Sequence, residues 1–146
     1  MQKADVLAKI TEIYKSNSFM HLCGIQIKGI GCGQATVGLV IDGARHTNVN
    51  GKLHGGLLMT LMDNATGIAA ASRGKRVVTV SMTVDFIKGA QAGDAVEAHA
   101  EIRYMDTANI TMEINIYNAA TGKLLATGMS CMMIIDTFSG IPESWQ

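Results

Sequence analysis

The sequence is poor in the residues that mark several broad classes of protein. Its 146 residues include one proline and three cysteines, and aromatic side chains make up 5%. The cysteines, at positions 23, 32 and 131, are scattered and odd in number, which suits neither a disulfide framework nor a metal site and favours a reducing compartment. No apolar run is long enough to cross a bilayer, and the N-terminal residues lack the apolar core of a signal peptide. These absences predict a cytoplasmic protein without a membrane-spanning segment.

Charge is equally sparse. Charged residues make up 16% of the chain and the formal net charge is zero, whereas a general nucleic-acid binder carries a basic excess. A nucleic-acid partner is therefore not expected. Low charge on a small protein also predicts that another subunit covers part of its apolar surface. The length fits one domain over residues 1–146, large enough for a proper core.

Hydrophobic periodicity gives the order of the elements. It predicts first a helix at residues 3–16, an irregular segment at 17–23 and two strands at 24–30 and 34–41. A stretch at 46–72 then opens with polar and glycine-rich residues, turns at Gly55-Gly56 and continues as a long apolar helix. Four strands follow at 77–87, 95–104, 109–117 and 123–135, and a fraying tail at 141–146. The glycines at 29, 31 and 33 precede period-two alternation, which indicates a hairpin turn and not a phosphate-binding loop. Short loops predict antiparallel pairing of consecutive strands, so the fold class is α+β. The last strand, apolar throughout, is predicted to be covered on both faces.

The stretch at residues 46–72 organises the chain. Its helical part has Asp63 as its one formally charged side chain, whereas a surface helix carries lysine and glutamate on its outer face. This helix is therefore predicted to be buried all round. A buried carboxylate is costly unless it is paired or used in chemistry. Asp63 shares its side of the helix with small residues that would let a partner or substrate come close, namely Gly56, Thr60 and Gly67.

A polar and glycine-rich pattern precedes this helix, formed by Asn48, Gly51, His54, Gly55 and Gly56. With Asp63 following, the pattern resembles that of the hotdog-fold acyl-CoA thioesterases, and within them the phenylacetate-degradation (PaaI-like) branch. The resemblance runs from the first helix to the last strand. It implies an antiparallel sheet wrapped around a long central helix, and hydrolysis of acyl-CoA to free acid and CoA without metal or cofactor. It also implies a homodimer as the minimal unit, with homotetramers common.

Thioester hydrolysis needs hydrogen-bond donors aimed at the developing oxyanion, together with a base or nucleophile. Amides at a helix N-terminus are unpaired and lie at the positive end of the helix dipole. The amides of Gly55 and Gly56 therefore suit a thioester carbonyl, and Gly55 is the expected oxyanion donor. The resemblance adds Asn48 at the same carbonyl, Asp63 as general base or nucleophile, and Thr79 as the hydroxyl that places the water.

Other residues are expected to hold the substrate or its loop. His54 is predicted to fix the loop by hydrogen bonding, with a role as the base as the less favoured alternative. The phosphates of CoA must meet some basic surface. The candidates are Lys88, Lys75, Arg76 and Arg103.

The spacing along the helix makes a further prediction. Asp63 lies eight residues beyond Gly55, or about 12 Å along a helix. One small carbonyl centre cannot contact both residues of the same chain, so a common site requires two subunits. The resemblance implies the same division, with Asn48 and Gly55 from one chain and Asp63 and Thr79 from the other.

Two other functions remain as alternatives. A non-catalytic acyl-CoA-binding protein on the same fold would not need Asp63. A hotdog hydratase or dehydratase would pair a histidine with a carboxylate, in a pattern that His54 and Asp63 do not match. The acyl group, the choice between base and nucleophile, and the choice between CoA and a carrier-protein thioester stay open at this point.

Overall fold

The computed structural model describes all 146 residues. The elements are, in chain order, α1 (Lys3–Tyr14), α2 (Ser18–Leu22), β1 (Gln26–Gly31), β2 (Gln34–Val40), α3 (Gly55–Ala71), β3 (Lys75–Phe86), β4 (Ala95–Met105), β5 (Asn109–Asn118) and β6 (Leu124–Thr137). None of the helices combines the length and the hydropathy that crossing a bilayer requires. The α+β class is confirmed, and the glycine-rich segment between β1 and β2 is the predicted hairpin turn.

The six strands form one antiparallel sheet in the order β1-β2-β4-β5-β6-β3. The prediction that consecutive strands pair is wrong for β3 and β4, because β3 pairs with β6 at the opposite edge. The connection at residues 87–94 is long enough for this. Eight extended residues reach up to roughly 27 Å, whereas neighbouring strands lie about 4.8 Å apart.

The core lies between α3 and one face of the sheet. The predicted inward positions of β2, β4 and β5 are buried there, among them Ala35, Val37, Leu39, Val96, Ala98, Ala100, Ile110, Met112, Ile114 and Ile116. A single sheet covers only one side of a helix, so the prediction that the central helix is buried all round is wrong for one chain. Met59 is 40% exposed, and Asp63 is exposed too. The last strand is likewise covered on one face only, since its outward Met133 is 44% exposed.

A β-bulge in β3 changes which residues face α3. The sequence predicts that Thr79 faces away from Met82, and this is wrong. The pairing with β6 skips Val80, which lies as an extra residue between Thr79 and Ser81. One extra residue reverses the alternation on its N-terminal side. Thr79 therefore faces α3 together with Met82, whereas Val78 faces outward.

Two further predictions from the sequence are wrong, and in both cases side-chain contacts supply the order. The segment predicted to be irregular contains α2, which begins where the Asn17 side chain accepts a hydrogen bond from the Met20 amide at 3.1 Å. The tail does not fray. The Trp145 indole N–H donates to the Ser72 carbonyl at 2.5 Å, and Ile141 is buried.

Candidate active site

The N-terminus of α3 presents one free backbone donor. His54 caps the helix, and its Nδ1 accepts the Gly56 N–H at 3.0 Å. The Gly56 amide is thus engaged within the chain, whereas the Gly55 N–H donates to no protein group. The aromatic ring of Phe86 would lie 3.4 Å from a Cβ at Gly55. The free donor at this end of the helix is therefore the amide of the half-buried Gly55.

Asn48 shapes the loop that leads into α3. Its Oδ1 accepts the Asn50 and Lys52 amides at 2.9 and 3.2 Å, and its own amide donates to the Lys52 carbonyl at 2.8 Å. The side-chain NH₂ group of Asn48 donates to nothing in the chain, so it remains available. His46 holds the base of the loop, because both of its ring nitrogens are engaged with backbone groups.

Asp63 and Thr79 meet where α3 crosses β3. The Thr79 hydroxyl donates to Asp63 Oδ1 at 2.5 Å. This contact depends on the bulge at Val80, which turns Thr79 toward the helix. The other carboxylate oxygen, Oδ2, has no hydrogen-bond donor from the chain, and it is free to accept a proton.

Sequence reasoning missed Tyr14, which lines the same cavity of about 240 Å³ as Asp63 and Thr79. Its hydroxyl occupies the space beside Gly67, 2.8 Å from where a Cβ would stand. Burial and then the charge of Asp63 raise the pKa of Tyr14, and the charge of Arg76 opposes them. The phenol is therefore protonated at neutral pH. The one available signal is Gly67, a small residue on the Asp63 side of the helix. The sequence predicts that a partner or substrate comes close to it, whereas the group beside it is Tyr14 of the same chain.

The two groups lie apart in a single chain. One cavity, of about 490 Å³, adjoins His54 and Gly56, and a second, of about 340 Å³, adjoins Asp63 and Thr79. Both include Phe19 on α2. We call these two adjoining cavities the α3 groove. The groove has His54 and Gly56, the chain neighbours of the free Gly55 amide, near one end and the paired carboxylate near the other.

The basic candidates for phosphate binding differ in their surroundings. Arg103 contacts two glutamates, Lys75 lies 3.3 Å from Glu143, and Arg76 stacks on an aromatic ring. Lys88 has no acidic partner within 4.0 Å. Of the four candidates, Lys88 is thus the one whose charge has neither a carboxylate nor an aromatic ring against it.

A model of one protein family matches the part of the chain that contains α3 and β3. The match is to the thioesterase superfamily and spans residues 50–125, from just before α3 to the start of β6. The chain belongs to the thioesterase superfamily. The chain is 30% identical to the acyl-coenzyme A thioesterase PaaI of Escherichia coli over 106 residues, which cover 73% of this chain and 75% of that protein.

Two further comparisons bear on the fold and on the extent of the match. The solved structure of the E. coli PaaI protein superimposes with a TM-score of 0.87 and 25% identity, covering 94% of this chain and 99% of that chain. The hotdog fold and the PaaI-like resemblance are thereby confirmed. Human acyl-coenzyme A thioesterase 13 is 35% identical over 85 residues, which cover 57% of this chain and 61% of that protein.

Proposed function

We propose that this protein hydrolyses acyl-CoA thioesters to free acid and CoA. One observation carries the proposal: an unpaired amide, that of Gly55, lies between two residues that line one end of the α3 groove, and a carboxylate bonded to a hydroxyl, Asp63 with Thr79, lies near the other end. Its superfamily relatives in E. coli and human are named acyl-CoA thioesterases. We further propose that the whole chain, residues 1–146, acts as one domain in the cytoplasm and uses no metal or prosthetic group.

The chemistry assigns a task to each group. The Gly55 N–H and the side-chain NH₂ of Asn48 bind the thioester oxygen, and they stabilise the negative charge that develops on it. Asp63 accepts a proton from water as the water oxygen attacks the carbonyl carbon, or it attacks that carbon itself. Thr79 orients the carboxylate through its hydrogen bond. When Asp63 acts as the base, the carbon–sulfur bond then breaks, and the thiolate of CoA leaves and takes up the proton that Asp63 accepted from water. When Asp63 is the nucleophile, breakage of that bond leaves an acyl anhydride on Asp63, which water hydrolyses to the free acid and the restored carboxylate while the thiolate takes up the proton that water releases.

A complete site on this proposal needs two chains, and β3 offers the surface for the second one. β3 lies at the edge of the sheet, with one side unpaired. An unpaired edge invites pairing with another strand, and Val80 on it is 63% exposed. A second copy over this edge would bring its Gly55 toward the exposed Asp63 of the first. The homodimer is therefore the proposed minimal unit, and the exposed outer face of β6 is available for a tetramer.

The direct test is release of free CoA from a panel of short, long and aromatic acyl-CoA thioesters. We expect turnover of at least one member, with one equivalent of acid formed per thiol. The 490 Å³ cavity favours acyl groups larger than acetyl, since pockets of such a size bury most of a small ligand. If no member is cleaved by folded, oligomeric protein, the hydrolase assignment is wrong. Binding of acyl-CoA without turnover would then favour the non-catalytic alternative.

The shared site predicts that two inactive variants restore each other. Gly55→Pro removes the hydrogen-bond donor, because proline has no backbone N–H. The helix should persist, because the first position of a helix tolerates proline. The preceding residue, His54, already has extended dihedrals, which a following proline favours. We expect hetero-oligomers of Gly55→Pro and Asp63→Asn to recover about half of the wild-type activity, since one of two sites is then intact.

The measurement uses hetero-oligomers purified through two different affinity tags. Gly55→Ala, which retains the amide, is the matched control and should stay active in the homo-oligomer. If each site lay within one chain, both sites of the hetero-oligomer would be defective. Activity no higher than that of the parent variants would therefore rule out a shared site.

A further inference from the structure

The hydroxyl of Tyr14 has no partner in the chain, although it lies beside the candidate active site. Tyr14 is the last residue of α1, and its side chain is half-buried. None of the hydrogen bonds within the chain involves its hydroxyl. A polar group held away from bulk water loses free energy unless it forms a hydrogen bond. The cavity of about 240 Å³ that Asp63 and Thr79 also line is the space from which a partner can come. We call it the Tyr14 cavity.

The other polar side chains of the Tyr14 cavity are engaged, except for one oxygen of Asp63. The engaged side chains are those of Asn17, Lys75, Arg76 and Thr79. Their partners are, in the same order, the side chain of Asn64, the carboxylate of Glu143, the ring of Phe138 and Asp63 Oδ1. The residues that line the cavity thus leave a free donor, the Tyr14 hydroxyl, and a free acceptor, Asp63 Oδ2.

Gly67 shows how near these two groups are. It follows Asp63 by four residues of α3, and positions at this spacing lie on the same side of a helix with their Cβ atoms about 5–6 Å apart. The Tyr14 hydroxyl lies 2.8 Å from where a Cβ at Gly67 would stand, so it is about one helical turn from Asp63. No direct hydrogen bond joins the two side chains, but a water molecule can bridge a gap of this order. The cavity has room for water, which occupies about 30 Å³ per molecule in the liquid.

Tyr14 retains the proton that it would donate. Burial and then the charge of Asp63 raise the pKa of Tyr14, and the charge of Arg76 opposes them. Lys75 is the other charged residue in the lining, and its ammonium group lies 3.3 Å from Glu143. The phenol is therefore neutral at physiological pH, and its O–H can donate into the cavity.

We propose that Tyr14 is a positioning residue, whose hydroxyl holds the Asp63 carboxylate through a water molecule in the Tyr14 cavity. The inference rests on the proposed function and extends it. Thr79 holds Oδ1 of the carboxylate, and Tyr14 restrains Oδ2. A carboxylate oxygen can accept two hydrogen bonds, so Oδ2 can accept one from this water and still take up the proton of the attacking water. Held at both oxygens, the carboxylate stays directed at the α3 groove, and less reorganisation is needed during the reaction.

Tyr14→Phe removes the hydroxyl and keeps the ring that fills the space. We expect kcat to fall roughly tenfold, the size expected for loss of one hydrogen bond to a charged group. KM should change little, because Tyr14 acts on Asp63 and not on the substrate. A hydrogen bond to a carboxylate favours its charged form. Without that bond, the loss of kcat/KM on acidification should begin at a pH roughly one unit higher.

Three results of this experiment would overturn the proposal. A changed KM with unchanged kcat would mean that Tyr14 contacts the substrate. A lower kcat without a shift of the acid limb would mean that the hydroxyl has only a structural role. Unchanged kinetics at every pH would mean that it has no role at Asp63.

Gly67→Ala displaces the hydroxyl without removing it, and alanine is a better helix former than glycine. It should lower kcat and shift the acid limb as Tyr14→Phe does. Phenylalanine at position 14 leaves space for the added methyl group, so the double variant should be no less active than Tyr14→Phe alone. A double variant much less active than either single variant would mean that the two changes act independently, which contradicts the proposal.

The matched control is Tyr104→Phe. Tyr104 is exposed on β4, and its hydroxyl donates to Asp106 Oδ2 at 3.3 Å. The control thus removes a hydrogen bond between a tyrosine and a carboxylate outside the Tyr14 cavity. It should leave kcat, KM and the pH profile unaltered.

Denaturant unfolding separates failure of this inference from failure of the proposed function, because it needs no turnover. Tyr14→Phe should lower the denaturant midpoint of the wild type more than that of Asp63→Ala, since the bridged pair is already broken in the second protein. Such a difference would support the link between Tyr14 and Asp63 even if no thioester is cleaved. Equal shifts of the midpoint in the two proteins would contradict it even if thioesters are cleaved.

Discussion

Replacing Asp63 by asparagine is expected to lower kcat by a factor of about 10³, the middle of the range for loss of a general base. The carboxylate is the one titratable group that faces the α3 groove with an oxygen free of donors from the chain. Asparagine has nearly the same shape and can still accept the Thr79 hydrogen bond, so the fold should persist. An amide cannot take up the proton of water, nor can it act as a carboxylate nucleophile.

The measurement is steady-state release of CoA, beside thermal unfolding and the oligomeric state. Asp85→Asn is the matched control, since Asp85 lies on the same strand as Thr79 but faces outward, and it should leave kcat unaltered. Thr79→Ser should retain most activity, whereas Thr79→Ala should lose a part of it. An Asp63→Asn protein that is as active as the wild type would show that Asp63 is not the catalytic carboxylate.

Replacing Gly74 by alanine is expected to lower the free energy of unfolding by about 3 kcal/mol, through strain and overpacking together. Gly74 joins α3 to β3 with φ at +71°, where side chains with a Cβ are strained. A Cβ there would also stand closer than 3.0 Å to the carbonyl oxygen of Ile141. Because that oxygen belongs to the backbone, the ordered tail would have to move.

Denaturant unfolding of a matched pair separates the two causes. Gly122 has nearly the same backbone dihedral, with φ at +74°, but nothing lies within 4 Å of its would-be Cβ. Gly122→Ala should therefore cost only the strain, about 1 kcal/mol. An equal decrease in the free energy of unfolding in the two variants would mean that the C-terminal tail moves aside without an energetic cost. The clash with Ile141 would then contribute nothing to stability.

The sequence reveals those features of the fold that depend on short-range periodicity. The structure shows the predicted alternation of buried and exposed residues in β2, β4 and β5, and the predicted apolar stripe of α3. These patterns can be predicted because the face on which a residue lies depends on its spacing from neighbours only a few positions away. The hotdog fold was predicted through the motif around His54 and Asp63, which also named the superfamily. The position of β3 was not predicted. Whether a strand pairs with its successor or with β6 depends on the whole sheet, and a short loop does not reveal it.

The candidate site shows the same limit at the level of single residues. Asp63 was singled out because a lone charge in an apolar helix is conspicuous in a sequence. Thr79 was selected by resemblance but placed on the wrong face, since the bulge at Val80 arises from pairing with β6. Tyr14 was not predicted, because it meets Asp63 and Thr79 only when segments far apart in the chain come together.

The bulge in β3 makes chain length, and not only residue identity, a determinant of the candidate site. The pairing of β3 with β6 changes register at Val80, and Thr79 lies before the change while Met82 lies after it. A chain without Val80 would need no bulge, because Thr79 opposite Met132 and Ser81 opposite Cys131 would then follow each other in regular alternation, with Thr79 still facing α3. With Val80 present, pairing without the bulge would turn the Thr79 hydroxyl to the opposite face, and Asp63 would lose its hydrogen bond although every residue of the site was still present. Relatives that differ by a single deletion here can therefore present the same hydroxyl from a regular strand.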